Sequence, residues 1–220
     1  MSKNEIAVNV IKAIISMSPQ INKNGAINYY FCGSLVWSAM SMVKGYTRLD
    51  VQLDGSFRLV NDILLSEEAR KEFSNFNRTI GDIDVALVNS SPYKVAKDNG
   101  NKTPSTPNIK DMVPEAIELF PPWKYLNGDP FDKLGDQEIK THNVAILVLE
   151  DGTTILTVNP LYMLTNKITE LDYLSLNKSR EEILTRKNQQ RLTDINILYR
   201  AIKLIYTQSE IFEALEAERE

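Results

Sequence analysis

Asp82 and Asp84 stand two residues apart at the start of an apolar run, 80–88, that reads as a buried β-strand. Side chains two apart on a strand share a face. A chain that folds this way therefore sets two carboxylates side by side at the rim of its core. They repel, and a divalent cation is the usual remedy. Mg²⁺ takes one or two carboxylates and completes its shell with water and substrate phosphates; Mn²⁺ suits the same oxygen ligands. Upstream, Gly33-Ser34 lies between an aromatic run at 27–31 and a helix-like stretch at 35–43. A turn of this kind offers backbone N–H groups and a hydroxyl to an anion such as a triphosphate.

The remaining pattern supplies a scaffold for these two motifs. Ile6, Ala7, Val10, Ile11, Ile14 and Ile15 recur at helical spacing, so 4–17 is expected to be an amphipathic helix ended by Ser18-Pro19. The run 27–31 is expected to be a strand, and 35–43 a helix stopped by Lys44-Gly45. Alternation over 48–53, then Asp54-Gly55, then an apolar 57–60 gives a hairpin signal. Ser66, with Glu67 and Glu68 behind it, caps a helix running to about 73. From 89 to 141 regularity dissolves into a long irregular insertion, expected to be partly ordered by the apolar anchors Phe120-Pro121-Pro122-Trp123 and Tyr125-Leu126. The clearest hairpin follows, 144–149 and 153–158 around Glu150-Asp151-Gly152. Asn159 and Pro160 then open a helix over 161–174 as N-cap and first residue. Helices are expected at 179–186 and 194–206, and a frayed one over 210–220. The fold class is α+β: a mixed sheet with packed helices in 1–159, and a helical part in 160–220.

Charge and composition narrow the function classes. No apolar run approaches the roughly 18 residues that cross a bilayer, and Glu5 stands where a secretory signal is basic and then apolar. The expectation is a cytoplasmic protein with no membrane partner. Cys32 is the only cysteine, which excludes an internal disulfide and a cysteine-based zinc site; beside Gly33 it reads as a small packing residue. A net charge of −4 argues against sequence-independent nucleic-acid binding. Against that balance, 178–203 holds seven Lys or Arg and three acids. This is the footprint of an RNA or triphosphate contact, or else a solvated helix face.

The order of motifs resembles the nucleotidyltransferase fold of the polymerase-β superfamily, whose signature is an apolar residue, Gly, Gly or Ser, and later Asp-x-Asp on a strand. The later stretch narrows the resemblance. Asn159-Pro160-Leu161, Lys167, Arg180, Arg186, Lys187 and Arg191-Leu192-Thr193-Asp194-Ile195 are similar in order to the helical half of the AbiEii-like abortive-infection nucleotidyltransferases. The resemblance implies transfer of a nucleotide from a nucleoside triphosphate to RNA, tRNA among the acceptors, or to protein, by a toxin paired with an antitoxin. It implies Mg²⁺ at Asp82 and Asp84, phosphates at Gly33 and Ser34, and Lys167 neutralising the triphosphate. Arg78 is a further phosphate contact on this reading, and Asp194 belongs to the late basic-x-x-Asp motif.

Three departures accompany the resemblance. Gly33-Ser34 stands far upstream of Asp82, with the hairpin and the Ser66 helix between them. Neither 144–149 nor 153–158 carries the internal acid that the superfamily adds as a third carboxylate, and Asn159 is the only polar residue in reach of that position. Thr169 and Glu170 sit where related sequences are apolar and small. An alternative therefore stands beside the enzyme: a nucleotidyltransferase fold that binds nucleotide without transferring it. His142, the only histidine, is expected to be a hydrogen-bonded structural residue. Trp37 and Trp123 are expected to be buried.

Overall fold

Seven strands make one mixed sheet in the order β3-β2-β6-β7-β1-β4-β5. They are β1 Tyr29–Cys32, β2 Val43–Val51, β3 Phe57–Leu64, β4 Ile83–Leu87, β5 Leu126–Pro130, β6 His142–Leu149 and β7 Thr154–Val158. The computed structural model describes residues 3–17, 19–27, 29–52, 55–76, 83–87, 126–130, 142–177 and 186–219. Among them are the helices α1 Lys3–Met17, α2 Ser34–Met40, α3 Glu67–Ser74, α4 Pro160–Asn177, α5 Arg186–Ile202 and α6 Gln208–Arg219. The class is thus mixed α+β. No helix of the described residues is long and apolar enough to cross a membrane.

Local chemistry accounts for most boundaries. Gly55 and Gly152 take φ of 85° in the two hairpin turns, a conformation that glycine alone reaches without steric cost. The Ser66 hydroxyl accepts the Ala69 N–H at 3.1 Å and starts α3. Asn159 Oδ1 accepts from Leu161 N at 3.0 Å, and Pro160 begins α4, where a missing N–H is harmless. Ala7, Val10, Ile11 and Ile14 of α1 are buried to 2% exposure or less, whereas Ile6 and Ile15 stay half-buried. Each fully buried aliphatic contributes roughly 1.5–3 kcal/mol before entropy is counted. Trp37 of α2 is fully buried and stacks on Phe73 of α3, centroids 6.0 Å apart. The same core continues into Leu198, Ala201 and Ile202 of α5.

Two expectations are corrected. Helix α2 ends at Met40, and Val43-Lys44-Gly45 begins β2 instead of stopping a helix. Gly45 is there for close approach: a Cβ on it would lie 2.5 Å from the Ile63 carbonyl oxygen of β3. The insertion, expected to be partly ordered, contributes a strand: 126–130, beginning at the Leu126 anchor, pairs in parallel with β4. Its polar sequence, Leu-Asn-Gly-Asp-Pro, hides it from any periodicity argument. The C-terminal segment is a capped helix: Thr207 N donates to Glu210 Oε2 at 2.8 Å, and Glu210 N to Thr207 Oγ1 at 3.3 Å. That reciprocal pair is a capping box, and Ile211 behind it is buried. Residues 178–185, where a further helix is expected, lie outside the described residues, as does Trp123.

One long-range contact holds the centre of the sheet. β1 and β7 pair in parallel at a single register position, Phe31 with Thr157. Beside it, Gln20 reaches in from the loop after α1. Its side-chain amide donates to the Leu156 carbonyl at 2.7 Å and accepts from the Leu156 N–H at 2.8 Å. Gln20 is 5% exposed and stands in for a missing strand neighbour.

Candidate active site

Cys32, the last residue of β1, is the register partner of Asp84 in the antiparallel β1–β4 ladder. Residues so paired have Cα atoms about 4.5–5.5 Å apart. The chain leaves β1 through Gly33, whose φ of 73° and ψ of −161° fall in a region essentially restricted to glycine. That one residue turns the strand into α2, which begins at Ser34. The Ser34 carbonyl accepts from Ser38 Oγ at 3.2 Å, while the Ser34 hydroxyl, half-exposed, has no hydrogen bond among the described residues. The backbone therefore sets the Gly-Ser turn beside the second aspartate of Asp-x-Asp, despite their separation in sequence. Asp82 and Arg78 lie outside the described residues.

The end of β7 arrives at the same place. Thr157 is level with Phe31 in the parallel pair, so Asn159 emerges beside the Gly33 turn. Its side chain caps α4, and it lines the same cavity as Tyr206. Asn159 is 3% exposed and joins sheet to helix, its side-chain oxygen engaged in the α4 cap.

Lys167 and Asp194 are brought together. The ammonium of Lys167 on α4 lies 3.9 Å from Asp194 Oδ2 on α5, and the Asp194 side chain is 3% exposed against 19% for Lys167. A nearly buried carboxylate beside a lysine holds the ammonium in one place. Lys167 is seven residues into α4, about 10 Å along the axis from its start at the sheet end. The neighbouring Thr169 hydroxyl is buried and has no hydrogen-bond partner among the described residues. Arg191 bonds Asn188 Oδ1 at 3.1 Å. Of the basic residues in 178–203, Arg200 and Lys203 are exposed, Arg191 is half-buried, and 178–185 are outside the described residues. His142 opens β6 opposite Val51.

Among the described residues no group of three or more His, Cys, Asp or Glu is gathered as a metal cage. Asp84, with Asp82 two residues before it, fits the smaller demand of Mg²⁺ for one or two carboxylates. Sequence reasoning missed two polar contacts, Gln20 with β7 and a hydroxyl pair in which Tyr46 donates to Tyr206 at 2.8 Å. Both join residues far apart in the chain, and no local pattern announces either one. Burial pushes both phenols above their usual range. In comparisons with known proteins, no family model, no curated protein and no solved structure matches the chain.

Proposed function

We propose that the chain is a Mg²⁺-dependent nucleotidyltransferase that moves a nucleotide from a nucleoside triphosphate to RNA, tRNA included, or to protein. The observation that carries this reading is the β1–β4 register, with Asp84 level with Cys32 and the Gly33-Ser34 turn next in the chain. The motif order asks for that adjacency, and the register supports it. Asp82 and Asp84 would hold the metal; Mg²⁺, when bound, offsets charge on the triphosphate and fixes its geometry. Gly33 allows backbone to approach the phosphates without a side chain in the way, and the Ser34 hydroxyl donates to them. Lys167 adds positive charge where negative charge develops, and Asp194 keeps its ammonium oriented. Chemistry of this kind rests on positioning and electrostatics. A toxin role, with a partner antitoxin, follows from the AbiEii resemblance.

A second reading is a nucleotide-binding module without transfer activity. It is favoured by Asn159, which is tied into a helix cap where a third carboxylate would stand. One experiment separates the two. The protein is incubated with each α-labelled triphosphate, Mg²⁺ and either total RNA or a protein extract, and label on macromolecules is counted. Transfer that needs Mg²⁺ and disappears in Asp82→Ala/Asp84→Ala supports the enzyme. Mg²⁺-dependent binding without transfer supports the module. Neither binding nor transfer with any of the four triphosphates rules out both.

A further inference from the structure

A cavity of about 320 Å³, with Asn159 in its lining, lies between the β2–β6 part of the sheet and the helices α4 and α6. That is the small end of the range of metabolite pockets, about 300–1,000 Å³. Its floor is buried: Leu161 and Tyr206 are each 6% exposed. Arg48 of β2 forms one wall, and Glu210 and Glu213 of α6 stand at the rim with Asn143.

Arg48 is the unusual member. It is half-buried, level with Ala145 on one side and Asn61 on the other, and it makes no hydrogen bond or ion pair among the described residues. A guanidinium carries five N–H donors in a fixed fork, and drawing them partly out of water without a partner is costly. The carboxylates opposite are only partly engaged: Glu210 accepts through Oε2 from Thr207, and Glu213 through Oε1 from Ser209 at 3.0 Å. The Arg48 cation, in electrostatic reach of Glu210 but without a hydrogen bond to it, thus shares a small cavity with two carboxylates. A plain anion that reached Arg48 would meet Glu210 and Glu213, and a plain cation would meet Arg48. A polyphosphate meets both carboxylates with several charges of the same sign.

We propose that this cavity binds a small zwitterion of the free α-amino-acid class, its carboxylate on Arg48 and its ammonium toward Glu210 and Glu213. The fork of Arg48 matches a carboxylate bidentately. Leu161, Ala214 and Ala217 supply apolar wall for a short side chain. Tyr206 and Asn159 link this cavity to the start of α4, the helix that carries Lys167. The proposal does not depend on nucleotidyl transfer.

The test is equilibrium binding to the full chain, by calorimetry and by thermal shift, of the twenty amino acids singly at millimolar concentration. The controls are the N-acetyl derivative and the methyl ester of any amino acid that binds. The expected result is saturable binding of at least one amino acid and a rise in melting temperature. Affinity should fall at least tenfold for both derivatives, and at least tenfold in Arg48→Met. Glu213→Gln, at an exposed position that does not threaten folding, should weaken binding several-fold while leaving the unliganded melting temperature unchanged. No saturable binding of any amino acid, equal binding of the N-acetyl form, or unchanged affinity in both variants overturns the proposal.

Discussion

Replacing Gln20 with Leu tests how much one side chain contributes by satisfying the β7 backbone at Leu156. The native amide makes two good hydrogen bonds to Leu156, at 2.7 and 2.8 Å, and a third approach to the Tyr29 carbonyl at 3.5 Å is too long to count for much. The substitution keeps the volume but leaves the Leu156 N–H and C=O without their partner. An unsatisfied buried backbone group costs about 1–3 kcal/mol, so two of them set a range of roughly 2–6 kcal/mol. Two effects pull the figure down. Leucine gains some apolar burial, and Gln20 and Leu156 line an open groove of about 230 Å³ through which water can reach the strand. The expected loss is about 3 kcal/mol, read as a lower urea midpoint with unchanged slope. For a chain of this size that corresponds to a fall of roughly 6–12 °C in melting temperature. Gln20→Glu should fall between, since a carboxylate accepts from Leu156 N but repels its carbonyl. A loss below about 1 kcal/mol in Gln20→Leu would refute the claim that the Leu156 backbone groups depend on Gln20.

Gly33→Ala should lower stability by about 1–3 kcal/mol, because its φ and ψ lie where a Cβ is strained; a urea midpoint identical to wild type would remove the constrained turn. Thr207→Ala should cost about 1 kcal/mol through loss of the cap. Hydrogen bonds from Thr207 hold the Glu210 carboxyl below its ordinary value of 4.5, so its contribution is present above that pH and lost as pH falls through the lower folded value. The difference between wild type and Glu210→Gln, followed by melting temperature, should therefore shrink below pH 4.5 and be constant above it. Lys167→Met should cost about 2 kcal/mol, between an exposed and a buried ion pair, and should reduce transfer far more than it reduces triphosphate binding. Unchanged transfer in that variant assigns Lys167 a structural role only.

The parts legible in the sequence are those with local causes. Asp54-Gly55 and Asp151-Gly152 announce turns because each glycine must reach positive φ, and both do. Ser66 and Asn159 announce helix starts because their side-chain oxygens bond N–H groups two or three residues on. Thr207 and Glu210 were equally readable as a capping box, but the acidic tail around them suggests fraying. Gly45 misled because a glycine after an apolar run ends a helix as readily as it sits in a strand, and only the β3 backbone pressing on it decides. Strand β5 carries no apolar alternation and is ordered by its pairing with β4. At the candidate site the residue types were visible, Gly33, Ser34 and Asp84 among them. Their meeting was expected from the motif order, but the register that sets Cys32 level with Asp84 was not legible, because it is a matter of which strands pair. The Lys167–Asp194 contact, across two helices, is of the same kind.

The central claim is that the Gly33-Ser34 turn and the Asp-x-Asp strand form one metal-nucleotide site. Mn²⁺ with a nucleoside triphosphate tests it directly, since the paramagnetic ion broadens amide NMR signals near it. The account predicts that Cys32, Gly33, Ser34 and residues 83–85 broaden first and together, and that Asp82→Ala/Asp84→Ala abolishes the effect with the rest of the spectrum unchanged. Broadening centred on other residues, or broadening of the Gly33 turn that persists in the double variant, would contradict it.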